Sequence, residues 1–119
     1  MLFNRTQNKV IHPKIQVAKT FLQKFRGLMG EKKENFDYCL VFELEGEGKL
    51  RASMHMLFMQ FPTDMIFLNS KKQVVDLMES LQPWTINHTP KNPAKFVVEM
   101  EAGSIQKNGI KMGDELAWD

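Results

Sequence analysis

Apolar residues recur along this chain with two different periods. Between residues 20 and 30, Phe21, Leu22, Phe25, Leu28 and Met29 fall at helical spacing, with Gln23, Lys24 and Arg26 opposite them. Thr20 followed by Gln23 fits a capping box and Gly30 fits a stop, so one short amino-terminal helix is predicted. From residue 38 the period drops to two. Tyr38, Leu40, Phe42 and Leu44 alternate with Cys39, Val41 and Glu43, then Glu45-Gly46-Glu47-Gly48 reads as a turn. Leu50, Ala52, Met54 and Met56 alternate with Arg51, Ser53 and His55 in a returning strand. Residues 64–68 and 73–81 form a second strand pair around a polar turn at 69–72, with Val75, Leu77, Glu79 and Leu81 on one side and Asp76 on the other. Phe96, Val98 and Met100 alternate with Val97, Glu99 and Glu101. One helical turn is expected within 103–109, a turn at Gly113-Asp114, and a last short strand over 115–118.

Residues 9–18 read as extended, with Pro13 marking an edge strand or a bend between two short strands. About seven short strands and one good helix predict a mainly β, compact single domain over 1–119, a β-barrel or sandwich. Residues 1–14 would be peripheral or an edge strand.

Composition adds limits. The 119 residues are 43% hydrophobic and 25% charged, which suits a globular chain rather than a disordered one. Eight Lys or Arg against Glu31 give the first 33 residues a charge of +7; with +2 overall, the remainder is −5. A pI near 8.7 is too mild to establish a nucleic-acid surface, so nucleic acid is an unlikely partner on charge alone. No run approaches a membrane span, and Asn4-Arg5-Thr6-Gln7-Asn8 follow the first three residues directly, with no apolar leader. A single cysteine, Cys39, excludes an intramolecular disulfide and suits a reducing compartment, so a cytoplasmic location is expected.

Several segments in order carry a resemblance: Arg26-Gly27-Leu28-Met29, Leu40-Val41-Phe42, His55-Met56-Leu57-Phe58-Met59 and Pro62-Thr63-Asp64-Met65-Ile66-Phe67-Leu68. Val97-Val98-Glu99, Ala102-Gly103 and Gly113-Asp114 continue it. From about residue 18 onward the chain resembles the family called domain of unknown function 192, or uncharacterised protein family 0127, in a shorter archaeal-type form. The resemblance implies a small, mainly β domain and no established activity. Bacterial members typically show Trp-Met and then Asn-Thr before the Pro and Asp; here Phe58-Met59 is followed by Gln60-Phe61 and Pro62.

Chemistry could sit in few places. His55 lies on the polar phase of its strand and Asp64 opens the next, so the two could meet as a structural hydrogen bond or as a general base with its orienting carboxylate. Cys39 could complete a nucleophilic triad with them, but its strand-interior setting suits a small hydrophobe better. His12, His55 and His88 lack metal-ligand spacing, and Met54 and Met56 point away from His55 on a strand, so neither metal nor cofactor is expected. Arg26 could clamp an anion or tie the helix to Glu99 or Asp114. Residues 82–93 form the longest irregular segment, where Trp84 and His88 offer a loop surface. The leading expectation is a cytoplasmic binding module for a small molecule or a protein, with a pocket drawn from His55, Asp64, Arg26 and Glu99. A nucleic-acid module using the basic first third and an enzyme built on His55 and Asp64 are the alternatives.

Overall fold

The computed structural model describes residues 1–18, 36–48, 61–83 and 90–119. They form eight strands and one short helix: β1 Leu2–Asn4, β2 Lys9–His12, β3 Ile15–Ala18, β4 Cys39–Gly48, β5 Thr63–Leu68, β6 Val74–Leu81, β7 Ala94–Glu101, α1 Ser104–Lys107 and β8 Leu116–Trp118. The helix expected over 20–30 and the strand expected over 50–56 lie outside the described residues.

The strands make two sheets, β2-β1-β8 and β3-β4-β7-β5-β6. Pro13 falls at the bend between β2 and β3, which enter different sheets. The first strand is the middle of the smaller sheet, with Leu2 fully buried, and β2 is one of its edges. β3 joins β4 in parallel; every other pairing is antiparallel. Among the described residues the arrangement is sandwich-like rather than a closed barrel. Residues 113–116 link the sheets: the Val74 and Leu116 N–H groups donate to the Asp114 and Lys72 carbonyls, and Gln73 bridges Glu115.

Period-two side chains give the large sheet two apolar faces. One carries Cys39, Val41, Ile66, Leu68, Val98 and Met100, packed with Leu2 and Leu116 of the smaller sheet. The other carries Leu40, Phe42, Met65, Phe67 and Val97, packed with Phe36 and Phe61. All six residues of β5 are buried, and so are Ala94 and the five residues from Phe96 to Met100 in β7.

Two expectations are corrected. Residues 45–48 are not a turn: β4 continues through them, and Gly48 pairs with Ala94 after a register irregularity beyond Glu43. Glycines here sit in a disturbed strand rather than at a chain reversal, a usual place for them in a sheet. The clean two-sided pattern of residues 73–81 also fails. Register shifts against β5 put Val75, Met78 and Leu81 with one core and Val74 and Leu77 with the other.

Asp64 explains one of those shifts. Thr63 pairs with Leu81 and Met65 with Met78, so Glu79 and Ser80 together oppose Asp64. Ser80 has a left-handed φ of 50°, and its N–H donates to Asp64 Oδ1 at 2.8 Å. The Gly103 and Ile105 N–H groups donate to Oδ2 at 3.1 and 2.9 Å. The fully buried carboxyl group thus holds the bulge and the first turn of α1, where Gly103 takes a φ of 94° that suits glycine. Asp64→Ala, which orphans three N–H groups, should cost about 3–5 kcal/mol in urea unfolding, and Asp64→Asn clearly less. A loss below about 1 kcal/mol for the alanine variant would contradict this role.

Candidate functional site

The pairings of β7 with both neighbours place residues on a grid. Leu40, Glu99 and Met65 form one row across β4, β7 and β5; Phe42, Val97 and Phe67 form the next. Directly opposed residues share a face. Glu99 therefore stands in the second apolar face, with Leu40 and Met65 beside it and Val97 along its own strand. Glu101 pairs with Thr63 on the far side, two positions on, and Tyr38 packs against the same cluster.

Glu99 is 3% exposed. Among the described residues its Oε2 has no hydrogen-bond partner. Burial pushes the carboxyl from about 4.5 up to about 8, so near neutral pH it holds its proton. An orphaned buried carboxyl oxygen is rare in native proteins and calls for an explanation such as a ligand or ordered water.

Asp64 and Glu99 do not converge. Met65 shares a face with Glu99, and the adjacent Asp64 points to the opposite one, where it meets α1. His55, Arg26, Trp84 and His88 lie outside the described residues. Cys39 is fully buried in the core between the sheets, and burial raises its thiol to about 12, as befits a small hydrophobe and not a nucleophile. Asp114, the other partner considered for Arg26, takes hydrogen bonds at Oδ2 from Asn4, Gln7 and the Lys111 N–H, at 2.9, 2.8 and 3.0 Å. Asp76 accepts from the Leu77 and Lys91 N–H groups, which ties the segment before β7 onto β6. Both carboxylates therefore serve the fold.

Residue-by-residue reading did not pick out a cleft of about 130 Å³ where β7 runs into α1. Its lining includes His12, Tyr38, Glu101, Ser104 and Lys107 over Phe36 and Met100. His12 Nδ1 accepts from the Lys14 N–H at 3.0 Å, which leaves Nε2 to carry the proton of a neutral ring. Tyr38 and Glu101 belong both to this cleft and to the surroundings of Glu99. These residues come from four separate segments, and nothing in their spacing announces that they meet. Among the described residues, no group of three or more His, Cys, Asp or Glu side chains is arranged to hold a metal ion.

Fold and site together define a small two-sheet β domain in which, among the described residues, one buried carboxyl oxygen in the apolar face of the larger sheet lacks a partner. The chain belongs to the family DUF192, described as an uncharacterized ACR, whose pattern matches residues 2–118. Among its relatives, a UPF0127 protein of Thermococcus sibiricus is 42% identical over 119 residues, covering 100% of this chain and 75% of the relative. One from Pyrococcus furiosus is 42% identical over 118 residues, covering 99% and 97%. Among solved structures, a protein of unknown function from Novosphingobium aromaticivorans superposes with a TM-score of 0.85 at 22% identity, covering 98% of this chain and 82% of that one. A Sinorhizobium meliloti protein, provisionally described as a transcription regulator, gives 0.84 at 23% identity, covering 98% and 88%. These likenesses establish the mainly β fold and indicate no specific function for this chain.

The buried carboxyl has a measurable signature. Below about pH 4.5 it is protonated in both folded and unfolded chains and leaves stability unaffected by pH. Between about 4.5 and 8 the unfolded chain gives up a proton that the folded chain keeps, so stability falls as pH rises, by up to about 1.4 kcal/mol per unit. Urea unfolding from pH 5 to 8 should show that decline, and Glu99→Gln should flatten it. An identical slope in both proteins would contradict the burial of an unpaired acid.

Proposed function

We propose that this domain is a binding module that receives a small molecule at the apolar face of its larger sheet, with Glu99 as the polar contact that orients the guest. The orphaned Oε2 of Glu99 carries this reading: small-molecule sites are mostly apolar walls with a few placed polar groups. The described neighbours of Glu99 in the grid, Leu40, Met65 and Val97, provide wall and no nucleophile, which favours binding over catalysis.

A nucleic-acid role finds less support. Of the eight basic residues in the first third, three are described, and two of those face acids: Lys14 lies 2.9 Å from Asp37 and Arg5 3.9 Å from Glu115. Phosphate binding needs such cations free. Among the described residues no helix is long and apolar enough to cross a membrane. A cytoplasmic location is part of the proposal, supported by the free thiol of Cys39.

Fragment binding to the isotopically labelled full chain tests the reading. Fragments that raise the unfolding temperature should shift the methyl signals of Leu40, Met65 and Val97, and Glu99→Gln should weaken them. Fragments that shift signals only on the smaller sheet, or that bind equally well to the variant, would overturn it.

A further inference from the structure

We propose that the guest at this face is an organic ammonium ion with an apolar body and that Glu99 is its counter-ion; this rests on the binding reading above and narrows it to a ligand class.

Charge is the first argument. A hydroxyl or amide donor in the guest could be met by a Gln or Asn oxygen, whose burial costs far less than that of an ionisable group. A carboxyl group set among Leu40, Met65 and Val97 brings something those amides lack, a negative charge available to a positive guest. No internal cation among the described residues claims it. Lys95, on the same side of β7, gives its ammonium group to the Leu44 carbonyl, and Lys14 pairs with Asp37.

Rings are the second argument. Phe36 packs edge-on to Tyr38 with centroids 5.1 Å apart and stacks on Phe61 at 5.4 Å, all within the cluster that covers this face. Phe42 and Phe67 flank Val97 in the neighbouring row. Aromatic faces are electron-rich and attract desolvated cations, so the rings set among the aliphatic residues of this face favour an ammonium guest.

Binding has a proton balance. Near pH 7 the free protein holds a neutral carboxyl group at Glu99, and the guest arrives already protonated. Forming the ion pair releases the Glu99 proton to the buffer, with no covalent bond made or broken. The other titratable groups on this face among the described residues are Tyr38, from the segment before β4, Glu101 and Lys95 of β7, and Asp76 of β6, which lies opposite Phe67 and accepts from the Leu77 and Lys91 N–H groups. The facing side chains of β4 and β5 (Leu40, Phe42, Thr63, Met65 and Phe67) do not titrate near neutrality.

Calorimetry on the full chain with 3-phenylpropylamine, 3-phenylpropanol and 3-phenylpropionate tests this. At pH 7, run in two buffers of different ionisation enthalpy, the amine should bind with close to one proton released. Its affinity should rise about tenfold by pH 9, because a group titrating near 8 is about nine-tenths protonated at the lower pH and nine-tenths ionised at the higher. The alcohol and the acid should bind at least tenfold more weakly. Glu99→Gln should lose at least tenfold in amine affinity, with Glu99→Met as a second variant should the first fold poorly, and Glu101→Gln should stay within threefold of the parent. Alcohol binding as tight as the amine's, with no proton released, overturns the ammonium class and leaves the face as a binding site. Amine binding that survives Glu99→Gln but is lost in Glu101→Gln overturns it by moving recognition to the cleft. If none of the three probes binds, the ammonium class fails, while the methyl mapping above judges the binding reading separately.

Discussion

Burial of β5 and β7 on both faces is the constraint from which the rest of this structure follows. A strand at a sheet edge, or one with a solvated face, can point a polar side chain into water at little cost. In these two strands each inward polar group must find a partner inside the protein or remain in deficit. The two carboxyl groups there resolve that demand in opposite ways. Asp64 collects three backbone N–H groups and organises a bulge and a helical turn. Glu99, on the other face, keeps one oxygen without a partner among the described residues. The same physics makes the first a structural knot and leaves the second as the group on which the proposed binding site is built.

Asp64, Asp76 and Asp114 each gather N–H donors from separate segments, and together they fasten the connections around the large sheet. Asp114 ties the turn after β1 to the turn before β8, where residues 113–116 join the two sheets. Retention of a proton by Glu99 near neutrality follows from burial, with no compensating charge among the described residues.

Much of the fold was legible in the sequence because period-two alternation is a local signal. Residues 39–44, 64–68 and 96–101 lie in strands, α1 falls within 103–109, and the bend at Pro13 separates two short strands. Glu45-Gly46-Glu47-Gly48 misled because glycine marks bulges as well as turns, and partner pairing decides which. The side assignment in β6 failed because each extra residue in a strand swaps the faces that follow, and one of the two insertions there sits opposite Asp64 in another strand. Glu99 was identifiable as a charge within an apolar alternation. Its separation from Asp64 was not, because cross-strand register, rather than spacing along the chain, sets which face each residue shares. Cys39 was legible as a small hydrophobe because it lies inside an apolar strand, Cys39 to Leu44, whose alternate positions fill the two cores.

The central claim is that Glu99 is a buried acid that keeps its proton near neutrality, with no partner for Oε2 among the described residues. Carbon-13 NMR of its side-chain carboxyl, followed from pH 4 to pH 10 on the ligand-free full chain, observes that group directly. The account expects a single titration centred near pH 8. A midpoint at or below the ordinary value of about 4.5 would mean that a positive partner already stabilises the carboxylate, and would contradict the account.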